Sequence, residues 1–224
     1  MEITKREVLI SIIIICIMLI FGGMIHQRIC TAVTEKNKEY ELAIQINDTD
    51  TFKYGMKTNI GNAFVYGELI AIDPVTNPEL DGEWMWIQKI KERYTKHTRT
   101  VTVKENGKTK TKTEEYWTWD RVGSEEWHSK KVKFLNEEFS YNLITDVDYE
   151  YIKTDRIGYT RYKWYASKIK HKGTIYTYLA NNTISRASFT DNKNIQETFD
   201  SMVINMTISL VFFWIIWIVL IIIL

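Results

Sequence analysis

The chain has 224 residues, and its 29 lysines and arginines against 28 aspartates and glutamates leave a formal net charge of +1. This near-neutral balance lacks the basic field typical of nucleic-acid-binding domains. The two cysteines, Cys16 and Cys30, are too few for a disulfide framework, and no CxxC pair or Cys/His cluster is available for zinc. We therefore expect no metal, no cofactor and no nucleic-acid partner.

Two apolar segments bracket the chain. Residues 8–25 contain no charge, and neither do residues 203–224. Each segment is long enough to cross a hydrocarbon core of ~30 Å. Residues 26–202 are polar and rich in strand-forming side chains. The pattern predicts an α+β fold, in which a β-rich single domain with a long β-hairpin is flanked by N- and C-terminal transmembrane helices.

Charges near the N-terminus indicate the orientation. Lys5 and Arg6 precede the first apolar segment, which favours a cytoplasmic N-terminus. No small-x-small cleavage site follows that segment, so we interpret it as an uncleaved anchor. A second crossing returns the C-terminus to the cytoplasm and places the domain outside it. We expect a two-pass inner membrane protein encoded by a bacterium or a phage.

The first part of the domain mixes clear and ambiguous signals. Residues 28–54 form a lead-in, helical or extended, in which scattered apolar residues alternate. Residues 63–72 predict a strand, where Gly67 marks a bulge or a close approach. Residues 73–82 hold both prolines of the chain and predict a loop.

A long hairpin follows over residues 83–120. Asn106-Gly107 is a strong signal for a type I′ turn, because both central residues of that turn need positive φ. Folding the chain there places Arg99 opposite Glu114, a pairing that stabilises neighbouring strands. The same register places Arg93 opposite Asp120 and Tyr94 opposite Trp119.

Residues after the hairpin predict a series of shorter elements. Residues 127–143 indicate a short strand or helix and then a turn. Further strands are predicted over 149–165, 173–180 and 184–189. A helix over residues 192–202 leads into the second apolar segment.

The tip of the hairpin is basic and has no apolar face, so we expect residues 95–113 to project as a two-stranded ribbon. Its candidate contact surface consists of Lys96, Arg99, Lys104, Lys108, Lys110 and Lys112. Four interpretations stay open: binding to anionic lipid headgroups, to an acidic protein surface, to the acidic residues 137–155 of the same domain, or solvation without a partner.

Aromatic residues are concentrated in the strands. A spacing of two residues places neighbouring tryptophans on one face of a strand. They predict an aromatic core of the sheet, with a membrane-interface belt or a ligand groove as alternatives. The candidate core residues are Trp84, Trp86, Trp117, Trp119, Trp127 and Trp164.

The apolar segments carry their own packing signals. Trp214 and Trp217 lie about one helical turn apart and share a face, which packs on the first segment or on a second copy. Gly22-Gly23 offers a point of close helix approach. Neither segment contains an ionisable side chain that would support an ion pathway.

Catalytic motifs are not recognisable. His128 and Ser129 lie near Glu125 and Glu126, but adjacent residues of a strand point to opposite faces. His97 and His171 are isolated in sequence. The chain has no HExxH, GxSxG, P-loop or GxGxxG motif. We expect no enzymatic activity.

The order of sequence blocks resembles a known family. Four blocks lie between the apolar segments, in this order: GNAFVYGELIAIDPVTNPELDGEWMWIQ (61–88), EEYWTWDRVGSEEWHSKKVKF (114–134), RYKWYASKIKHKGTIYTYLANNTI (161–184) and NIQETFDSM (194–202). This order resembles the GIDE, or "beside a membrane" (BAM), domain of the Mulan-type ubiquitin ligases. Residues 116–134 also resemble the LUMA family of nuclear-envelope membrane proteins.

The resemblance implies a scaffold or sensing domain held at a membrane. Mulan ligases need a RING for their activity, and this chain has no set of zinc-ligand cysteines. We therefore expect a non-catalytic interaction, scaffold or sensor module that contacts lipid and a protein partner. A small oligomeric membrane-acting protein, such as a pore or a phage-type exclusion factor, is the alternative.

Overall fold

The structure is a computed structural model that describes residues 5–105 and 108–223. The predicted turn residues Asn106 and Gly107, and the last residue of the second apolar segment, lie outside this part. The helices within it are α1 Lys5–Glu41, α2 Thr49–Thr58, α3 Ile195–Met202 and α4 Met206–Ile223, with a 3-10 turn at Tyr141–Leu143.

Most of the domain is strand. The strands in the described residues are β1 Ile44–Ile46, β2 Gly61–Ala71, β3 Val75–Asn77, β4 Leu80–Trp84, β5 Trp86–Glu105, β6 Lys108–His128, β7 Lys131–Phe134, β8 Glu137–Ser140, β9 Ile144–Thr145, β10 Glu150–Ile157, β11 Thr160–Ser167, β12 Lys170–Ala180, β13 Thr183–Ile184 and β14 Ala187–Asp191. The predicted α+β fold with flanking apolar helices is confirmed.

Two helices are long and apolar enough to cross a membrane, and their apolar side chains are exposed. Helix α1 does not stop at residue 25, where the first apolar segment ends, but continues as one helix through the first part of the lead-in to Glu41. Val33 and Asn37 lie four residues apart on one face of this extension and are both buried. The anchor therefore enters the domain without an intervening loop.

The remainder of the lead-in contains a helix that the alternating apolar residues do not indicate. Helix α2 begins after Asp48, whose carboxylate accepts a hydrogen bond from the Thr51 N–H at 2.8 Å. Phe52 and Met56, one turn apart, are buried against the main sheet. Asn59 ends the helix in the left-handed conformation.

The main sheet has eight strands, in the order β8-β7-β2-β12-β14-β9, with β1 paired to β2 and β13 to β12. Its core is formed by aliphatic and phenylalanine side chains, among them Phe52, Phe134 and Phe189. Gly67 lies at a close approach, because a Cβ there would stand 2.7 Å from a side-chain atom of Leu135. The helix predicted over 192–202 begins later, after a capping box at Asn194.

A second sheet of four strands has the order β10-β11-β5-β6. Strand β11 leads directly into β12 of the main sheet, and the Met85 N–H donates to the Ser167 carbonyl where the two sheets meet. The loop predicted over residues 73–82 instead contains the small hairpin β3–β4, which covers a minor core at Leu80, Ile87 and Trp164. The prolines of this segment therefore do not prevent a short pair of strands.

Candidate interaction surface

Strands β5 and β6 form a ribbon that extends beyond the second sheet. Strand β11 pairs with β5 only from Trp86 to Arg93. At Tyr94 the N–H still donates to the Tyr159 carbonyl, at 2.8 Å. Beyond Tyr94, β5 pairs with β6 alone, in a register that includes Arg99 opposite Glu114. This is the register predicted from the sequence. The twelve residues of β5 beyond Arg93 span about 40 Å at ~3.3 Å per residue.

The two faces of the ribbon differ in chemistry, because side chains alternate along each strand. One face carries a ladder of threonines and is called the threonine face. Its threonines are Thr98, Thr100, Thr102, Thr109, Thr111 and Thr113. The opposite face carries Arg99, Val101, Val103, Lys110 and Lys112, together with Glu114 opposite Arg99, and is called the basic face.

The six predicted basic residues are therefore divided between two surfaces. Lys96 and Lys104 lie on the threonine face, where the ammonium group of Lys96 is 2.6 Å from Glu115. Arg99 lies on the basic face and pairs with Glu114 at 3.1 Å. Lys108 takes the register position opposite Glu105, and its side chain lies outside the described residues.

The acidic residues 137–155 pair with lysines outside the ribbon. Glu137 lies 3.1 Å from Lys53, and Glu150 lies 3.7 Å from Lys168. Glu138 and Asp155 have Lys131 and Lys153 as partners. These contacts partly neutralise the acidic stretch by local pairs, so it does not need the ribbon as a counter-charge.

The six tryptophans do not form one aromatic core. Trp164 is completely buried, and Trp127 stacks on it with ring centroids 6.4 Å apart. Trp84 is half-buried against the same minor core. Trp86 packs instead on Tyr149. Spacing by two identifies a shared strand face, but it does not reveal where a strand leaves the sheet.

Trp117 and Trp119 lie at the base of the ribbon, outside both cores. Trp117 is 49% exposed and stacks on Tyr94 and on Tyr159, with centroids 5.2 and 6.4 Å away. Trp119 lies beneath the guanidinium of Arg161, at 4.3 Å from the ring centroid. The prediction of a core role is wrong for Trp117, whose indole forms part of an exposed aromatic surface.

The carboxylate of Glu92 links two strands at the base of the ribbon. Glu92 on β5 accepts hydrogen bonds from Arg161, and from Lys163 at 3.2 Å, both on β11. Burial would raise the pKa of Glu92, but these hydrogen bonds and positive charges outweigh it and lower the pKa. The ionised carboxylate therefore holds β5 and β11 together where the ribbon begins.

A serine, a histidine and an aspartate meet elsewhere in the domain, although the sequence separates them. Ser167 Oγ lies 2.9 Å from His171 Nε2, and His171 Nδ1 is hydrogen-bonded to Asp191. The connectivity matches that of a hydrolase triad. His171 is thus not isolated, because the pairing of β12 with β14 brings Asp191 beside it.

This triad lacks the geometry of an activated nucleophile. Ser167 is 1% exposed, and its hydroxyl donates to the Asp148 carbonyl at 2.8 Å. Its lone pair, rather than its proton, therefore faces His171. Nucleophilic attack needs an exposed oxygen whose proton the imidazole accepts. The arrangement instead ties the β11–β12 junction to the end of β14.

The other candidate histidines also have structural partners. His97 Nε2 lies 2.6 Å from Asp120 across the ribbon and stacks on Tyr116. His128 stacks on Tyr141, while Ser129 is buried and donates to the Asp73 carbonyl. Across residues 5–105 and 108–223, no three His, Cys, Asp or Glu side chains are placed to hold a metal ion.

The span tryptophans both contact α1 of the same chain. The Trp217 indole donates to the Met18 carbonyl at 3.1 Å and lies over Gly22, where a Cβ would stand 2.5 Å from its nitrogen. Trp214 donates to His26 Nδ1 at 3.1 Å. Gly23 lies about 100° around the helix from Gly22. Apart from the adjacent backbone of α1, a Cβ built there would have no heavy atom of the described residues within 4 Å.

A side-chain clamp joins the two anchors at the domain. Asn37 accepts from the Ile204 N–H and donates to the Ile204 carbonyl, both at 2.9 Å. Ile204 lies beside Asn37, and Trp214 lies beside His26. Both Asn37 and His26 come after the first apolar segment, which ends at residue 25. The two apolar segments are therefore shifted relative to each other along the helix axes. The first part of the second apolar segment lies beside the polar extension of α1.

Comparison of the chain with protein-family models, with curated proteins and with solved structures found no match.

Proposed function

We propose that this protein is a non-catalytic, membrane-anchored interaction module whose ribbon binds an acidic surface of a partner protein through its basic face. The observation that carries the proposal is the placement of Arg99, Lys110 and Lys112 on one face of a ribbon that extends beyond the sheet.

The chain path favours a partner away from the anchoring bilayer. Tyr40 of α1 contacts Phe64 and Tyr176, at one end of β2 and β12. The opposite ends of those strands lead to the second sheet, because Lys170 of β12 follows β11. The ribbon continues outward from there. An acidic protein surface therefore fits the ribbon better than the headgroups beside α1 and α4.

The GIDE/BAM resemblance supports the same proposal, since it also implies a scaffold or sensing domain between two spans. Lys5 and Arg6 favour cytoplasmic termini and an extracytoplasmic domain in a bacterial or phage-encoded inner membrane protein. In this proposal lipid contacts the exposed apolar side chains of α1 and α4, while protein contacts the ribbon.

The test uses a photo-crosslinking amino acid in the full chain, in native membranes. We expect a probe at Val101 or Val103 to form protein adducts, because both lie on the basic face. A probe at Thr100 or Thr102, on the opposite face of the same strand, is the matched control. Adducts from the valine positions should disappear when Lys110 and Lys112 are both changed to glutamate. Equal yields from both faces, or adducts with lipid alone, would contradict the proposal.

The alternative of a pore or exclusion factor has less support. Trp214 and Trp217 are the most distinctive side chains of the second span, and both contact α1 within one chain. They are therefore engaged before any contact with a second copy. The proposal keeps the spans as anchors.

A further inference from the structure

Strand β6 lies at an edge of the four-stranded sheet along its whole described length, Lys108–His128. An edge strand presents backbone N–H and C=O groups that can pair with another chain. We propose that two copies of this protein pair antiparallel through β6 and form a continuous eight-stranded sheet. The inference goes beyond the proposed function, because it concerns the edge of the ribbon rather than its basic face.

The sequence of β6 is complementary to itself. Two identical antiparallel edges are related by a twofold axis perpendicular to the sheet, so directly opposed residues lie on the same face. With the axis at Thr118, Trp117 of one copy faces Trp119 of the other, and Glu115 faces Arg121. Symmetry makes each of these contacts twice. Aromatic and opposite-charge pairs directly across strands are stabilising.

A bulge extends this complementarity to the ends of the strand. Val122 is the extra residue where the β5–β6 register shifts between Lys91 and Glu92, and it is 50% exposed. Beyond the bulge, the proposed register places Lys112 opposite Glu125. Within the described residues, Lys112, Arg121 and Glu125 have no ion pair in the single chain, so the second copy supplies their counter-charges.

Neighbouring registers are less favourable. An axis at Trp117 would place Glu114 opposite Asp120, and an axis at Trp119 would place Glu114 opposite Glu125. Like charges directly across strands are destabilising. Lysines and bulges often protect an edge strand from pairing. In β6 the lysines lie near the start of the strand, and Glu125 and Glu126 lie near its end. Two antiparallel copies of β6 therefore bring the lysines of one copy close to the glutamates of the other.

The twofold axis places the anchors of the two copies at opposite ends of the joined sheet. The copies lie in two facing bilayers if the ribbon keeps the outward direction argued above. They lie in one bilayer if each domain tilts until the joined sheet is parallel to the membrane surface. The test therefore uses vesicles that carry both tagged forms of the chain, and also mixed vesicles that carry one form each. A covalent dimer in either setting supports pairing.

The experiment uses the full chain with Cys16→Ser and Cys30→Ser, and a mild thiol oxidant. Thr118→Cys should form a covalent dimer, because the residue meets its own copy on the axis. Thr113→Cys is the matched control, since its two copies would be about 33 Å apart along the strands. Adding Ser124→Cys to Thr113→Cys should restore the dimer, because these positions face each other beyond the bulge.

Charge exchange provides a second readout. Arg121→Glu should reduce the Thr118→Cys dimer at least tenfold, and Glu115→Arg in the same chain should restore it. Self-pairing is wrong if Thr118→Cys forms no more dimer than Thr113→Cys in both vesicle settings. It is also wrong if the new disulfide joins a protein of different mass. Adducts from Val103 should persist in the Arg121→Glu chain, where the Thr118→Cys dimer is lost, because Arg121 lies outside the basic face. Either proposal can therefore fail without the other.

Discussion

Individual hydrogen bonds fix the anchors to the domain. Asn37 bonds both backbone groups of Ile204, just before α4 begins, and its side chain is buried. A truncated side chain there leaves the half-buried N–H and C=O of Ile204 without these partners. Each such group costs about 1–3 kcal/mol.

Water reaches part of the half-buried Ile204 backbone, so we expect Asn37→Ala to lower the free energy of unfolding by about 1–3 kcal/mol. Denaturant unfolding of the protein in micelles, followed by tryptophan fluorescence, measures the change. Lys36→Ala, at an exposed position of the same helix, is the control and should have almost no effect. Equal stabilities of the two variants would show that the clamp does not stabilise the junction.

The stability of the fold should depend on pH through Glu92. The pKa of Glu92 is lowered in the folded state, so the carboxylate stabilises the fold above its unfolded pKa of about 4.3. That stabilisation is lost as the pH falls through the lower folded pKa. Glu92→Gln should cost about 1–3 kcal/mol at neutral pH. The difference from wild type should shrink below about pH 4.3.

Unfolding of both proteins between pH 3 and 7 measures this dependence. Glu83→Gln, at an exposed position before the hairpin, is the control and should show no such trend. A constant difference between Glu92→Gln and wild type across this range would contradict the assigned role. Arg161 and Lys163 would then stabilise the base of the ribbon by packing alone.

Short-range pairs could be predicted at the residue scale, and long-range pairs could not. Arg99 opposite Glu114 follows from one turn signal and the arithmetic of a hairpin. The contact between Glu92 and Arg161 depends on the pairing of β11 with β5, which are far apart in the sequence. No turn signal in the sequence predicts that pairing. His171 meets Asp191 for the same reason, through the pairing of β12 with β14.

At the scale of elements, the ribbon is separate from both cores. The main core lies between α2 and the eight-stranded sheet, and the minor core lies under β3–β4. Beyond Tyr94 the ribbon contributes to neither. The strong turn signal makes this hairpin predictable. For α2 the sequence leaves a helix and an extended chain open, because its buried apolar residues, Phe52 and Met56, are few and the segment also contains Gly55.

We expect the ribbon tip to be dispensable for folding. Replacing residues 97–116 with Asn-Gly keeps Lys96 and Trp117 in the strands and removes the whole basic face. The truncated chain should unfold within a few degrees of the full chain, because no buried core residue is lost. Thermal unfolding measured by circular dichroism tests this. A loss of cooperative unfolding would show that the tip stabilises the domain.

In the whole molecule, the apolar composition of the two terminal segments predicts two membrane-spanning helices. The sequence does not predict how these helices are placed against each other and against the domain. Residues 8–25 and 203–224 are apolar along their length, so the two helices were clear. Their offset was not, because it depends on Asn37 meeting Ile204 and His26 meeting Trp214. These contacts hold α1 and α4 side by side.

The most direct measurement compares adducts from a photo-crosslinking residue at Val103 in two variants of the full chain, in native membranes. In one variant Trp214 and Trp217 are changed to leucine, and in the other Lys110 and Lys112 are changed to glutamate. An interaction module keeps its adducts in the first variant and loses them in the second. Adducts that vanish with the tryptophans and survive the loss of the lysines would assign the activity to the spans.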